Sequence, residues 1–245
     1  MPDVSFVAAS LNADYPVTTL SVSAPAGTTA GDVVIVIGTR NAFSAVDTLV
    51  DDNGSTPFTQ VRSDFESGQG SSLTILRRVI QAGDPTTYTF DYDPAGDLGA
   101  SYLGLVAMTF RNVDAAIFDV APSAGTLTQE SPDGNDITCV AVTSTLANCI
   151  HVICAGREGG QGYRNTPSGY TAVAVASDFD WVTSVHYKIL TSAGSSGVQT
   201  YTAPEGGSGQ TQSFIIKNNA GGGGGGSHSY PFAGKFAGLL GGKLA

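Results

Sequence analysis

Asp32-Val-Val-Ile-Val-Ile-Gly-Thr-Arg40 is the stretch of this 245-residue sequence that decides the fold. Its β-branched residues favour a strand, and an apolar run without alternation is typical of a central strand covered on both faces. A second stretch of the same kind, Cys149-Ile-His-Val-Ile-Cys-Ala-Gly-Arg157, follows in the second half of the chain. Two such strands predict two units of one all-β fold.

Shorter matches occur in the same order around both stretches. Ser63-Asp64-Phe65, for example, is repeated as Ser177-Asp178-Phe179. We therefore expect two degenerate β-rich repeats, residues 1–114 and 115–219, with turns rich in Gly, Pro, Asn and Asp. Neither repeat would readily bury both faces of a sheet alone, so we expect them to pack as one jelly-roll-like β-sandwich. Two small sandwiches side by side are the alternative.

The charge of the chain argues against one class of partner. The sequence has 21 acidic and 11 basic residues and a net charge of -10. An acidic body repels phosphate backbones, so we expect no nucleic-acid partner. Met1-Pro2-Asp3 has neither the basic segment nor the apolar stretch of a secretory signal. We therefore expect synthesis in a reducing cytoplasm.

Three cysteines cannot all pair within one chain. Cys149 and Cys154 lie in one predicted strand at an odd separation, so their side chains point to opposite faces of the sheet. We expect buried free thiols, and a Cys139–Cys149 disulfide is the alternative.

The C-terminal part of the chain has a different composition. Residues 220–229 include six consecutive glycines, which predict a flexible linker that decouples the apolar peptide 230–245 from the body. Most apolar side chains of this peptide follow helical spacing. We predict that five of them enter apolar grooves of a partner protein and anchor the chain: Phe232, Phe236, Leu239, Leu240 and Leu244. A disordered chain end and an interfacial membrane peptide are alternatives.

Residue patterns give little support to catalysis or to a metal site. His151 and His186 lie in predicted strands, and no carboxylate or cysteine stands at metal-ligand spacing around them. No Gly-x-Ser-x-Gly sequence marks a nucleophile between a strand and a helix. We therefore predict no catalytic residues, no metal and no cofactor. Two clusters of acids in predicted turns leave calcium binding open: Asp47, Asp51 and Asp52, and Asp91, Asp93 and Asp97.

Three aromatic residues lie near predicted loops of the second repeat. Aromatic side chains present flat apolar faces, and sugar-binding sandwiches often carry such faces on loops. We predict that Tyr163, Tyr170 and Trp181 are candidates for contact with a glycan. Packing in the core or at its rim is the alternative for each of them.

One run of sequence resembles a known group of proteins. Ser23-Ala-Pro-Ala-Gly-Thr-Thr-Ala-Gly-Asp-Val-Val-Ile-Val36 is similar to a recurring element of bacteriophage and prophage virion proteins, as are Tyr88-Thr89-Phe90 and Arg111-Asn112-Val113-Asp114. The resemblance covers roughly residues 17–217. It implies a tail, fibre or capsid-decoration protein made in the cytoplasm of the host bacterium and located in the virion. Its expected partners are other virion proteins of the capsid, collar or tail, together with further copies of the same chain.

These observations lead to one main hypothesis about function. We expect a non-enzymatic structural protein of a phage virion, displayed on the particle and attached through its C-terminal peptide. The alternative is a carbohydrate-binding adhesin that recognises glycans of the host surface.

Overall fold

The computed structural model describes residues 3–41, 49–51, 57–66, 71–92, 100–124, 136–158, 166–178, 181–202 and 209–219. Within these residues there are 17 strands and no helix. The predicted linker and anchoring peptide lie outside them. The strands are β1 Ser5–Val17, β2 Thr19–Ser23, β3 Val33–Asn41, β4 Val50–Asp51, β5 Thr59–Glu66, β6 Ser71–Val79, β7 Thr87–Asp91, β8 Ser101–Arg111, β9 Val113–Ala124, β10 Asp136–Cys139, β11 Thr143–Ser144, β12 Cys149–Glu158, β13 Thr171–Asp178, β14 Trp181–Leu190, β15 Gly194–Ser195, β16 Gln199–Thr202 and β17 Gly209–Asn218.

Two antiparallel five-stranded sheets form the centre of the molecule. Their strand orders are β1-β8-β3-β6-β5 and β13-β14-β12-β17-β9. The apolar stretch that predicted a central strand forms β3, and the second stretch of the same kind forms β12; each strand lies in the middle of its sheet. Residues 33–37 are buried on both faces of the first sheet, which confirms that prediction. An all-β sandwich is therefore the fold of this chain.

The largest core lies between these two sheets. Ile35 and Val106 of the first sheet belong to one apolar cluster with Val152, Val185 and Phe214 of the second. The side chain of Gln212 crosses the same interface, where its amide donates hydrogen bonds to the Asp64 carboxylate at 2.8 Å and to the Leu73 carbonyl at 3.0 Å. Both halves of the sequence thus supply one sheet of a single central sandwich.

Smaller sheets cover the outward faces of the central sandwich. The sheet β2-β7-β4 packs on the first five-stranded sheet and is called the first outer layer below. The pairs β10-β16 and β11-β15 pack on the second five-stranded sheet and form the second outer layer. The described part of the chain therefore has four layers, because the apolar outward faces of β3 and β12 also need a cover.

The strand orders of the two central sheets match one to one. In each half the first strand pairs with the last, as β1 does with β8 and β9 with β17. The next neighbours are β3 and β12, then β6 and β14, and the far edges are β5 and β13. Because β9 begins at Val113, the predicted boundary between residues 114 and 115 falls inside this strand.

Candidate functional site

The second outer layer covers a buried group of three polar side chains. His151 of β12 lies between the Tyr170 hydroxyl, 2.5 Å from its Nδ1, and the Ser213 hydroxyl, 2.7 Å from its Nε2. His151 and Ser213 are fully buried, and Tyr170 is 8% exposed. We call these three residues the His151 cluster.

Strand alternation places the histidine there. Ile150, Val152 and Cys154 of β12 point into the central core, so the residues between them point toward the second outer layer. Ile153 packs on that layer. Ser213 of β17 points the same way, because its neighbour Phe214 lies in the central core.

A second buried histidine lies beside the cluster. His186 of β14 contacts the Tyr201 hydroxyl of β16 through Nδ1 at 2.9 Å. The same hydroxyl donates to the Ile153 carbonyl at 3.3 Å. His186 is 3% exposed and Tyr201 is fully buried. Both imidazoles are therefore bonded to tyrosines at the surface between two layers.

Burial keeps both rings neutral. Loss of water lowers the pKa of His151 to about 4, and the nearby Lys188 cation lowers it further in the same direction. Loss of water also lowers the pKa of His186 to about 4. A neutral imidazole carries one N–H, so His151 donates one of its two hydrogen bonds and accepts the other from a hydroxyl. Burial raises the pKa of Tyr170 as well, and its phenol stays protonated.

The contact between Ser213 and His151 has the separation of a nucleophile and its general base. Two features of the structure oppose that chemistry. The Ser213 side chain has no exposed surface at which a substrate carbonyl could be attacked. An imidazole with a pKa of about 4 is also a weak base at neutral pH. The geometry therefore supports a structural role for the cluster.

A cation over an aromatic ring occurs at the same place in both central sheets. Lys188 Nζ lies 5.7 Å from the centre of the Tyr170 ring, and Arg78 lies 5.6 Å from the centre of the Phe58 ring. Phe58 directly precedes β5, as Tyr170 directly precedes β13. The correspondence aligns the two sheets residue by residue.

This alignment shows which positions differ. Val34 lies opposite Arg78 on β6, and His151 lies opposite Lys188 on β14. Two residues further along, Val36 lies opposite Leu76 and Ala107, whereas Ile153 lies opposite His186 and Ser213. The two buried histidines and the serine thus occupy positions that hold Val34, Leu76 and Ala107 in the first sheet.

Arg78 forms a buried ion pair with Asp84. Its Nη2 lies 2.5 Å from the Asp84 carboxylate, and both side chains are at least nine-tenths buried. Lys188 is half-buried, and its ammonium group lies over the Tyr170 ring. The sequence did not indicate the partner of either cation.

Of the three predicted glycan contacts, the structure describes the side chain of Tyr170 only. Tyr170 is buried in the His151 cluster, which leaves little of its ring for a sugar. The backbone of Trp181 begins β14, but its side chain lies outside the described residues, as does all of Tyr163. Contact of these two residues with a glycan stays a prediction. The five predicted anchor residues also lie outside the described part of the chain, and their role stays a prediction too.

The three cysteines are free and buried, which confirms the thiol interpretation and makes a Cys139–Cys149 disulfide wrong. Cys149 packs toward the second outer layer and Cys154 into the central core, so they lie on opposite faces of the sheet, as their odd separation predicted. Burial raises the pKa of Cys139 to about 12. Burial raises the pKa of Cys154 as well, so these two thiols stay protonated, and all three cysteines act as small core side chains.

Among the described residues, no group of three or more His, Cys, Asp or Glu side chains is placed to hold a metal ion. Of the acids that left calcium open, Asp47, Asp52, Asp93 and Asp97 lie outside that part of the chain. The described residues also contain no helix long and apolar enough to cross a membrane.

Comparison with known proteins gave no match to a protein-family model, to a curated protein or to a solved structure.

Proposed function

We propose that this chain is a non-enzymatic structural protein of a phage virion, a rigid β-body attached to the particle by its C-terminal peptide. The observation that supports the proposal is the closed central sandwich, in which both halves of the chain share one core. The side chains of the His151 cluster, which would be suited to chemistry, are hydrogen-bonded to one another beneath the second outer layer.

The proposal includes a duplicated jelly-roll unit. Its support is the matching strand order of the two central sheets, in which the first and last strands of each half are neighbours. Each half also adds its own outer layer to its own central sheet. Stacking of two such units gives a body that needs no other chain to cover its central sheets.

Contacts at one end of the body favour attachment from there. Asn218, the last residue of β17, accepts a hydrogen bond from the Val4 amide at 3.0 Å and donates one to the Asp3 carboxylate at 2.9 Å. The Asn219 amide donates to the Asn112 carbonyl at 3.1 Å. The chain is thus held up to the residue before the glycine-rich sequence, and a load on the peptide would be transferred to the whole sandwich.

A truncation tests the attachment. Deletion of residues 220–245 should leave a folded body that no longer sediments with particles of the phage that encodes it. The matched variant keeps the linker and replaces the five anchor side chains with serine (F232S, F236S, L239S, L240S and L244S), and it should also fail to bind. Full retention of the truncated body on the particles would contradict the proposal.

A further inference from the structure

The second outer layer consists of two separate two-stranded pairs, whereas the first outer layer is one three-stranded sheet. Its strands β10 and β16 have four residues each, and β11 and β15 have two each. Isolated pairs of such short strands have little stability of their own and depend on the face they cover. Local opening is therefore expected to begin here rather than in the five-stranded sheets.

The face beneath this layer carries the two buried imidazoles. Tyr201, which bonds to His186, comes from β16 of the cover itself. Tyr170, which bonds to His151, packs in one apolar cluster with Ile137 and Cys139 of β10. Closure of the second outer layer is thus linked to the protonation state of both imidazole rings.

Protonation would place two positive charges in this closed space. The described titratable side chains around the rings are Tyr170, Tyr201, Cys139 and Lys188. Of these only Lys188 is charged at neutral pH, and its charge has the same sign as a protonated imidazole. The tyrosine and serine hydroxyls can turn to accept hydrogen bonds from a protonated ring, but they do not remove the cost of burying the charge.

We propose that the second outer layer is an acid-sensitive cover, which opens in mildly acidic solution when His151 and His186 take up protons, while the first outer layer stays closed. Opening returns both rings to water and exposes a face that carries His151, His186 and Lys188. The first outer layer has no such response at the aligned positions, because Val34 and Leu76 occupy them.

The pH range of the response follows from the sign of the shifts. Each folded-state pKa of about 4 lies below the usual 6.5, so the open state binds more protons and stability falls as pH falls from 6.5 to 4. From pH 7.5 to 5.0 each histidine should raise the opening constant about 30-fold.

Two carboxylates affect stability at lower pH than the two histidines do. Burial alone would raise the pKa of Asp32 and of Asp119, but hydrogen bonds from Arg111 to the first and from Thr145 and Ser144 to the second outweigh it, and both values fall below 3.8. Their stabilisation is therefore lost only below about pH 4. A response at pH 5.0 separates the histidines from these acids.

Hydrogen exchange of the full chain at pH 7.5 and 5.0, corrected for intrinsic exchange rates, tests the proposal. The amides of β10 and β16 should lose at least about 30-fold in protection, and those of β2 and β7 less than about threefold. The variant H151V/Y170F/S213A/H186L carries the aligned residues of the first sheet and should lose this response. The control S63A/T74V removes a partly buried hydroxyl pair, 2.9 Å apart, that does not titrate, and it should keep the response.

Equal loss of protection in both outer layers, or a response that persists in the fourfold variant, would overturn the proposal. If that variant does not fold, nuclear magnetic resonance of the wild-type histidine rings decides, with H228N used for assignment. Midpoints below about pH 5 for His151 and His186, together with exchange of β10 over the same range, support the proposal. Midpoints above pH 6 with β10 still protected overturn it.

Discussion

At three aligned positions the first outer layer packs on apolar side chains, whereas the second packs on two imidazoles and a hydroxyl. Val34, Leu76 and Ala107 lie under the first. His151, His186 and Ser213 lie under the second. Both faces are buried, so the difference concerns how burial is made favourable: the first gains by removing apolar surface from water, and the second must satisfy each polar group. A polar face can therefore respond to pH where an apolar one cannot.

The largest effect is expected from the apolar layer. Phe90 of β7 is fully buried and lies 5.4 Å from the Phe58 ring. F90A should lower the free energy of unfolding by about 4 kcal/mol at every pH from 5 to 8, because it leaves a cavity and removes no titrating group. Urea unfolding at several pH values across that range measures both the loss of stability and its dependence on pH. A loss that grows in acid would break the distinction between the layers.

Removal of the two aligned cations should have very different effects on the free energy of unfolding. R78M leaves the buried Asp84 carboxylate without its 2.5 Å partner and should cost about 3 kcal/mol. K188M is its matched control and should cost under about 1 kcal/mol, since Lys188 is half-buried and its methylene groups can be replaced by those of methionine. Equal costs in chemical denaturation would show that the two positions are energetically alike.

Replacing His151 alone should lower the free energy of unfolding more than replacing all three members of the His151 cluster together. H151V leaves the buried hydroxyls of Tyr170 and Ser213 without their partner and should cost about 2 kcal/mol at pH 7.5. Thermal unfolding at that pH would detect it. No measurable loss would mean that the His151 cluster adds nothing to the packing of the second outer layer.

The smallest effect is expected when all three members change together. H151V/Y170F/S213A replaces the cluster with the residues aligned in the first sheet, so it leaves none of these hydroxyls unpaired and should change the stability at pH 7.5 by less than about 1 kcal/mol. The same thermal unfolding measurement as for H151V gives a direct comparison. A loss larger than that of H151V would show that the second layer cannot accept the chemistry of the first.

Much of the fold followed from the sequence, for physical reasons that apply locally. The apolar run at 33–37 has no polar alternation, and such a strand must be covered on both sides, as it is in the structure. The odd separation of Cys149 and Cys154 also predicted that their side chains lie on opposite faces of the sheet, as they do. These inferences depend on periodicity within one strand, which the sequence displays directly.

The buried polar site could not be predicted in the same way. His151 was seen to lie in a strand, but its partners Ser213 and Tyr170 come from other elements, and only the register of β12 with β17 brings Ser213 near. The ion pair of Arg78 with Asp84 depends likewise on the turn after β6. A signal was nevertheless present, because alignment of the two apolar stretches places His151 where the first stretch has Val34.

The clasp between Asp3, Val4 and Asn218 has a practical consequence for engineering. It holds residues 3 and 218 side by side, so a short peptide could join them while new chain ends are opened elsewhere. The exposed turn at Gly197, which has a φ of 69° and lies between β15 and β16, is a suitable place for the cut. Such a circular permutant would place the chain ends on another part of the body, so that a segment fused to them would leave it in a different direction.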